Sequence, residues 1–151
     1  MHIVLSGGEC RAPAEFALSL ADIIRLIKMS KTIPLYVAVV DDDESFCRSL
    51  GRLLRAAGMQ PITYASAEAF LADSKHPLFD CLVLDVHLGE MSGIELGQRL
   101  VAEGREAPFI CITAHDDPET RALAEAAGCA AFFRKTDSGA AVLDAIRRVT
   151  V

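Results

Sequence analysis

Acidic residues follow two short apolar runs of the chain. The run at residues 37–40 is followed directly by Asp41 and Asp42, and the run at residues 81–84 is followed by Asp85. If these runs are neighbouring parallel strands, the three carboxylates meet at one edge of the sheet, because adjacent strands lie about 5 Å apart. Crowded carboxylates repel one another and suit a hard divalent cation. The pattern therefore predicts a Mg²⁺ site of the kind that accompanies a phosphoryl group.

The bulk composition limits the classes of function. The chain has 151 residues and is 52% hydrophobic, which suits one well-packed domain with an appendage. A formal net charge of -6 argues against a broad nucleic-acid interface, so we expect a protein or small-ligand partner and no direct DNA binding. We found no apolar run as long as a membrane-spanning helix and no secretory signal pattern, which predicts a cytoplasmic protein with no membrane partner.

The cysteines and histidines lack the spacing of metal ligands. The five cysteines are scattered and contain no Cys-x-x-Cys pair, and their number is odd. They therefore predict neither a disulfide framework nor a zinc site, and we interpret them as small buried residues in a reducing compartment. The four histidines are interpreted as structural or surface residues, because none lies four residues from another.

From residue 35 onward, short β-rich apolar runs alternate with helical periodicities. Five β-α units of this kind are typical of a parallel sheet, and right-handed crossovers favour a doubly wound α/β fold with strand order 2-1-3-4-5. That order places strands one and three side by side and brings Thr113 and Lys135 to the same edge. The predicted strands are 35–40, 61–64, 81–85, 109–113 and 130–134. The predicted helices are 44–57, 67–72, a helix that begins after Ser92, 118–128 and 139–149.

Residues 1–34 do not follow this alternation, so we assign the main domain to residues 35–151. Apolar side chains at helical spacing predict an extra amphipathic helix over residues 13–28. Its apolar face has three open interpretations. It packs on its own domain or frays, it forms a homodimer, or the natural protein begins at Met29.

The order of these polar residues resembles the receiver domain of two-component response regulators. That family has an acid pair after the first strand, one acid after the third, a threonine after the fourth and a lysine after the fifth. The resemblance covers about residues 35–149, and the strings at 39–43 and 64–71 are similar to the FixJ-type subgroup. It implies a flavodoxin-like receiver fold and a phosphorelay partner, a sensor histidine kinase.

The resemblance also implies a role for each acidic residue. Asp85 is the expected phosphoacceptor, which takes the phosphoryl group of a phosphohistidine or of a small phosphodonor. The expected Mg²⁺ ligands are Asp42, Asp85 and the backbone carbonyl of His87, with Asp41 binding directly or through water. A carboxylate is a competent phosphoryl nucleophile when a cation and hydrogen-bond donors neutralise the charge on the phosphoryl oxygens.

Three further residues are expected to assist and to transmit the change. Thr113 donates its hydroxyl to the phosphoryl group, and Lys135 pairs with that group as a point charge. Phe132 is the expected switch aromatic, whose inward turn accompanies the movement of Thr113. The switch remodels the face formed by helix 118–128, strand 130–134 and helix 139–149, where a downstream protein partner is expected to bind.

The sequence departs from the family pattern at two places. Thr136 follows Lys135, where the family has a proline joined by a cis peptide bond, and a cis bond without proline costs about 3 to 4 kcal/mol. The pair Leu88-Gly89 replaces a Met-Pro pair and loosens the loop that carries the His87 carbonyl. The phosphorylation rate and lifetime therefore stay open.

Two alternatives remain beside the phosphoacceptor. One is a receiver-fold interaction module that takes no phosphoryl group. The other is a haloacid-dehalogenase-type phosphatase, whose Asp-x-Asp-x-Ser/Thr motif residues 41–45 match formally. In that family, however, the conserved-motif lysine comes before a later acidic pair. Here the pair that would match is Asp116-Asp117, and Lys135 comes after it. This alternative also leaves Asp85 without a role. We therefore expect self-catalysed phosphoryl transfer and autodephosphorylation rather than an enzyme acting on free substrate. The end at Val151 suggests either a stand-alone regulator or part of a longer one.

Overall fold

The computed structural model describes residues 17–31 and 33–150. The chain divides into two compact units, residues 1–33 and 34–151. The helices are Leu20–Lys31 (α1), Glu44–Ala56 (α2), Ala67–Ala72 (α3), Gly93–Ala102 (α4), Pro118–Ala126 (α5) and Gly139–Thr150 (α6). The strands are Tyr36–Val40 (β1), Gln60–Tyr64 (β2), Cys81–Asp85 (β3), Phe109–Thr113 (β4) and Ala131–Arg134 (β5). Among the described helices, none has the length and apolar character needed to cross a membrane.

The five strands form one parallel sheet in the order β2-β1-β3-β4-β5, which confirms the predicted topology. Every residue of β3 and β4 is buried. Parallel strands covered on both faces need apolar side chains on both, which explains their continuous apolar runs. In the register, Val40 pairs with Leu84 and Asp85 pairs with Ile112. The carboxyl ends of β1, β3 and β4 therefore lie at one edge.

A hydrophobic core lies on each face of the sheet. Alternate residues of each strand point to opposite faces, so Val40 and Leu84 join one core while Val39 and Val83 join the other. The second core includes Val142 of α6. Ala141 is only partly buried, so the buried face of α6 begins at Val142.

Side-chain caps define the starts of three helices, including the predicted start after Ser92. Ser92 and Glu95 form a reciprocal capping box at α4, and Asp117 caps α5 with Pro118 in its first turn. Asp43 accepts a hydrogen bond from the backbone N–H of Phe46 (3.1 Å) and so caps α2. These caps fix where each helix leaves the loops at the carboxyl edge of the sheet.

The N-terminal helix starts later than the sequence analysis predicted. Of the predicted span 13–28, residues 13–16 lie outside the described part, and residues 17–19 are not helical. The helix begins at Leu20 because Ser19 Oγ accepts the backbone N–H of Asp22 (3.1 Å), and the Asp22 carboxylate accepts that of Ser19 (3.4 Å). The helix continues to Lys31, three residues past the predicted end. The domain boundary, the start at Met29 and the role of the helix stay predictions.

Gly93 sets the approach of α4 to β3. A Cβ atom at this position would collide with the backbone carbonyl of Asp85 and would lie 3.2 Å from Leu84 Cβ. The backbone N–H of Gly93 also donates to the carbonyl of Val86 (3.2 Å). The first turn of α4 therefore packs directly on the backbone that presents the Asp85 carboxylate.

We predict that Gly93→Ala lowers the free energy of unfolding by about 1 to 3 kcal/mol, because the clash is with backbone and no side chain can turn away. Urea denaturation followed by circular dichroism measures this. Gly89→Ala is the matched control in the same loop, since nothing lies within 4 Å of the added methyl group. Equal stability of the two variants would contradict the close approach.

Candidate functional site

The three acidic residues predicted from the sequence lie together at the carboxyl edge of the sheet. Asp41, Asp42 and Asp85 each offer a carboxylate oxygen, and these oxygens lie within 4.8 Å of one another. Asp41 and Asp85 are 2% and 3% exposed, whereas Asp42 is exposed to solvent. We call these three residues the acid cluster. It is open on one side and buried on the other.

Lys135 supplies a positive charge to the acid cluster. Its Nζ lies 2.8 Å from Asp41 Oδ2 and 3.4 Å from Asp85 Oδ2. The backbone N–H of Lys135 donates to the carbonyl of Thr113 (2.8 Å), which fixes the end of β5 against β4. No peptide bond of the described residues is cis, so the loop at Thr136 brings the ammonium to the carboxylates without one.

The acid cluster and Lys135 alter each other's protonation. Burial lowers the pKa of Lys135, but the carboxylates of Asp41 and Asp85 outweigh burial and raise this pKa above its usual value. Burial and the charge of Asp41 raise the pKa of Asp85 from 3.8 to about 6, against the opposing effects of the His87 N–H and Lys135. Burial and the charge of Asp41 together therefore outweigh the single ammonium at Asp85.

The donor set fits a hard divalent cation. Asp41 Oδ2 is buried and forms an ion pair with Lys135 Nζ (2.8 Å), but among the described residues no donor is aligned to hydrogen-bond it, and the ammonium donates to Oδ1 (3.1 Å). The backbone N–H of His87 donates to Asp85 Oδ1 (3.2 Å), which holds the loop after β3 beside the carboxylate. Carboxylate and carbonyl oxygens with excess negative charge are the ligands that Mg²⁺ prefers. Leu88 is 3% exposed, so a buried side chain anchors this loop.

Thr113 ends β4 and is fully buried. Its Oγ1 donates to the backbone carbonyl of His115 (3.0 Å) and accepts the backbone N–H of the same residue (3.1 Å). The hydroxyl is therefore bonded within its own loop. The structure brings Thr113 to the predicted edge, but in this arrangement its proton is directed at His115.

Phe132 lies in the middle of β5 and is partly buried against the core. The guanidinium of Arg121 lies 4.5 Å from the centroid of its ring, and Arg121 also pairs with Asp116 (2.9 Å). The sequence analysis predicted Phe132 as a switch but did not single out Arg121. An arginine in the first turns of an amphipathic helix carries no sequence signal for such a contact.

Two residues of α2, Phe46 and Cys47, border the site. From the sequence they were expected only in a helix and as a small buried residue, respectively. Cys47 Sγ donates to the backbone carbonyl of Asp41 (3.3 Å), and burial together with the charge of Asp41 raises the pKa of this thiol to about 11. The ring of Phe46 lies 5.0 Å from Lys135 Nζ. The sequence does place both residues in the first turn of the helix that follows Asp41 and Asp42, and this position could have indicated that they border the site. Cys47 therefore contacts the backbone of Asp41, and Phe46 contacts the ammonium of Lys135, but neither belongs to the acid cluster.

Comparison with known proteins agrees with this geometry. The model of the response regulator receiver domain family matches residues 37–147. The response regulator protein TmoT of Ectopseudomonas mendocina is 36% identical over 111 residues, which are 74% of this chain and 50% of that protein. The transcriptional regulatory protein FixJ of Azorhizobium caulinodans is 36% identical over 120 residues, 79% of this chain and 56% of FixJ. The chain thus spans about half the length of these relatives.

Solved structures show the same architecture. The crystal structure of FixJ-N has a TM-score of 0.71 and 33% identity, covering 78% of this chain and 94% of that one. The structure of the response regulator StyR has a TM-score of 0.70 and 39% identity, covering 78% of this chain and 60% of StyR. From its five-stranded sheet, its acid cluster and these similarities, we conclude that the chain belongs to the receiver domain family of two-component response regulators.

Proposed function

We propose that the chain is a phosphoacceptor whose Asp85 takes a phosphoryl group from the phosphohistidine of a sensor histidine kinase. One observation carries the proposal: Asp85 lies at the sheet edge with two further carboxylates within 4.8 Å and with Lys135 Nζ 3.4 Å from its Oδ2. A carboxylate in such a place can act as a nucleophile, because Lys135 lies close enough to offset the negative charge of the phosphoryl group that it would receive. The same contacts serve phosphoryl transfer from a small donor such as acetyl phosphate.

In the transfer step, a carboxylate oxygen of Asp85 attacks the phosphorus. The bond from phosphorus to the donor's imidazole nitrogen breaks, the imidazole keeps the electron pair, and an acyl phosphate forms on Asp85. The attacking group must be ionised, and a pKa of about 6 leaves most of Asp85 ionised at neutral pH. Lys135, now 2.8 Å from Asp41 and 3.4 Å from Asp85, is within reach of the charge on the phosphoryl oxygens.

A divalent cation, Mg²⁺, belongs to the proposal. Asp42, Asp85 and the backbone carbonyl of His87 would hold it, and Asp41 would bind it directly or through water. Asp41 Oδ2 supports this assignment, because it is buried and no donor of the described residues is aligned to hydrogen-bond it, although Lys135 Nζ lies 2.8 Å away. The exposed carboxylate of Asp42 at the open side of the cluster supports it too. When bound, the ion offsets the repulsion between the carboxylates and the incoming phosphoryl group. Lys135 alone leaves that repulsion unbalanced.

The proposed output is a change of protein-interaction surface. The Thr113 hydroxyl would turn from His115 to the phosphoryl oxygen, and the ring of Phe132 would move with it. Movement of these two residues would change the surface formed by α5, β5 and α6. We propose that a downstream protein binds to this surface. Leu123 of α5 is 54% exposed and offers an apolar contact there.

The phosphatase alternative loses support in the geometry of Asp43. The motif at residues 41–45 would need the carboxylate of Asp43 in the active site, whereas it caps α2 by accepting the N–H of Phe46. Asp43 also lies outside the acid cluster of the described residues. Asp85, which the phosphatase alternative leaves without a role, belongs to that cluster.

The phosphoacceptor proposal predicts a phosphoryl adduct on one residue. Incubation with Mg²⁺ and acetyl phosphate should add one phosphoryl group to the intact protein by mass spectrometry, and EDTA should prevent it. Asp85→Asn should abolish the adduct, because an amide is not a competent nucleophile here.

Asp43→Asn is the matched control for this experiment. Asparagine is an equally good N-cap, so this variant removes one neighbouring carboxylate and keeps α2 intact. It should be phosphorylated like the unmodified chain. A chain that gains no phosphoryl group, or a variant at Asp85 that still gains it, would favour the interaction-module alternative or another acceptor.

The raised pKa of Asp85 predicts a pH-dependent stability. The folded protein holds this proton more tightly than the unfolded chain, so ionisation costs stability as pH rises from about 4 to about 6, and the cost is fully present above that window. In metal-free buffer, Asp85→Asn should raise the free energy of unfolding at about pH 7.5 by about 1 to 3 kcal/mol. Near pH 4 the gain should be small. Excess Mg²⁺ should stabilise the unmodified chain and reduce the difference.

Urea denaturation at the two pH values measures this effect. Asp144→Asn is the control, because that carboxylate of α6 has 68% of its side chain exposed and lies 3.9 Å from the Arg147 guanidinium. The control should show no comparable gain at the higher pH. If Asp85→Asn lost stability at both pH values, the prediction would be wrong. The fold would then favour the ionised form of Asp85 instead of disfavouring it.

A further inference from the structure

Arg121 joins two parts of the molecule that flank the site. Its guanidinium lies over the ring of Phe132 at 4.5 Å from the centroid, and its Nη2 donates to Asp116 Oδ2 at 2.9 Å. Phe132 belongs to β5, and Asp116 belongs to the loop between β4 and α5. A planar guanidinium can stack on an aromatic ring and donate to a carboxylate at the same time. One side chain of α5 therefore contacts both the loop and the ring.

The loop that holds Asp116 is itself bonded to Thr113. Thr113 Oγ1 exchanges two hydrogen bonds with the backbone of His115, at 3.0 and 3.1 Å, and Asp116 is the next residue. The side chain of Asp116 is 23% exposed and that of Arg121 is 42% exposed, so their ion pair is only partly screened by solvent. A continuous series of contacts thus runs from Thr113 through the loop and Arg121 to Phe132.

We propose that Arg121 is a positioning residue that couples the loop after Thr113 to the ring of Phe132 and thereby opposes phosphorylation of Asp85. The inference rests on the proposed function, because it needs Thr113 to donate to a phosphoryl group on Asp85. A hydroxyl has one proton, so Thr113 cannot make that bond and keep its bond to the His115 carbonyl. Arg121 holds the loop and the ring in the arrangement in which the proton stays with His115.

The coupling is reciprocal. If phosphorylation releases the loop and uncovers Phe132, then contacts that hold the loop and cover Phe132 must disfavour phosphorylation by the same free energy. Removing the guanidinium enlarges the population of the arrangement in which Thr113 is free to turn, and the phosphorylation rate rises with that population. One cation–π contact and one partly exposed ion pair predict an increase of roughly three- to tenfold.

The test measures the initial rate of phosphoryl addition from acetyl phosphate with Mg²⁺, by mass spectrometry of the full chain. Arg121→Gln should be phosphorylated roughly three- to tenfold faster than the unmodified chain. Asp116→Asn should show part of this increase, and Arg121→Lys should lie between, since lysine keeps the charge but not the planar fork. Arg99→Gln is the matched control. It removes an exposed arginine of α4 paired with Glu103 at 3.0 Å, and its rate should not change.

A double-mutant cycle separates coupling from a general loosening of α5. In a Phe132→Leu background, Arg121→Gln should have little further effect, because the ring it covers is gone. Equal rates for Arg121→Gln and the unmodified chain would overturn the inference, as would an increase of the same size in the Phe132→Leu background. In both cases Asp85 is still phosphorylated and the proposed function stands. If the unmodified chain takes no phosphoryl group at all, the proposed function fails and the coupling fails with it.

Discussion

The interaction on which the site depends is the repulsion among three carboxylates that the fold forces together. Asp41 and Asp85 are almost completely buried, and the three side chains approach within 4.8 Å. Lys135 contacts two of them but leaves an excess of negative charge. Burial, together with the charge of Asp41, raises the pKa of Asp85. Asp41 Oδ2 forms an ion pair with Lys135 but has no aligned hydrogen-bond donor among the described residues. Buried carboxylates that share one ammonium favour a nearby cation, which is the basis of the proposed Mg²⁺ site.

The sheet maintains the repulsion because each strand end is held by its neighbour. The backbone N–H of Asp41 donates to the Tyr64 carbonyl (3.0 Å), and that of Val86 donates to the Ile112 carbonyl (2.9 Å). The N–H of Lys135 completes the series across β4 and β5. The carboxylates cannot separate without breaking backbone hydrogen bonds of a buried parallel sheet, which are costly to lose. The backbone hydrogen bonds of the sheet therefore hold the carboxylates together despite their repulsion.

The sequence predicted the sheet order and the convergence of the acids because both follow from local rules. Apolar runs that are followed by Asp41 and Asp85, and a helix start after Ser92, can be identified without knowledge of distant residues. The late start of α1, by contrast, depends on the reciprocal bonds of Ser19 and Asp22, which compete with a periodicity that continues through residues 13–19. The contact of Arg121 with Phe132 was not predictable, because it requires the packing of α5 on β5. Periodicity places an arginine on a surface but does not identify the ring beneath it.

The central claim is that the charge of the acid cluster is only partly compensated in the free protein. Carboxyl-carbon NMR titration of Asp85, in metal-free buffer and then with saturating Mg²⁺, tests it most directly. We predict a midpoint near the pKa of about 6 without metal, and a clear fall of that midpoint when Mg²⁺ is added. A midpoint at the ordinary value of 3.8, unchanged by Mg²⁺, would contradict the account, since the carboxylates would then be neither crowded nor cation-binding.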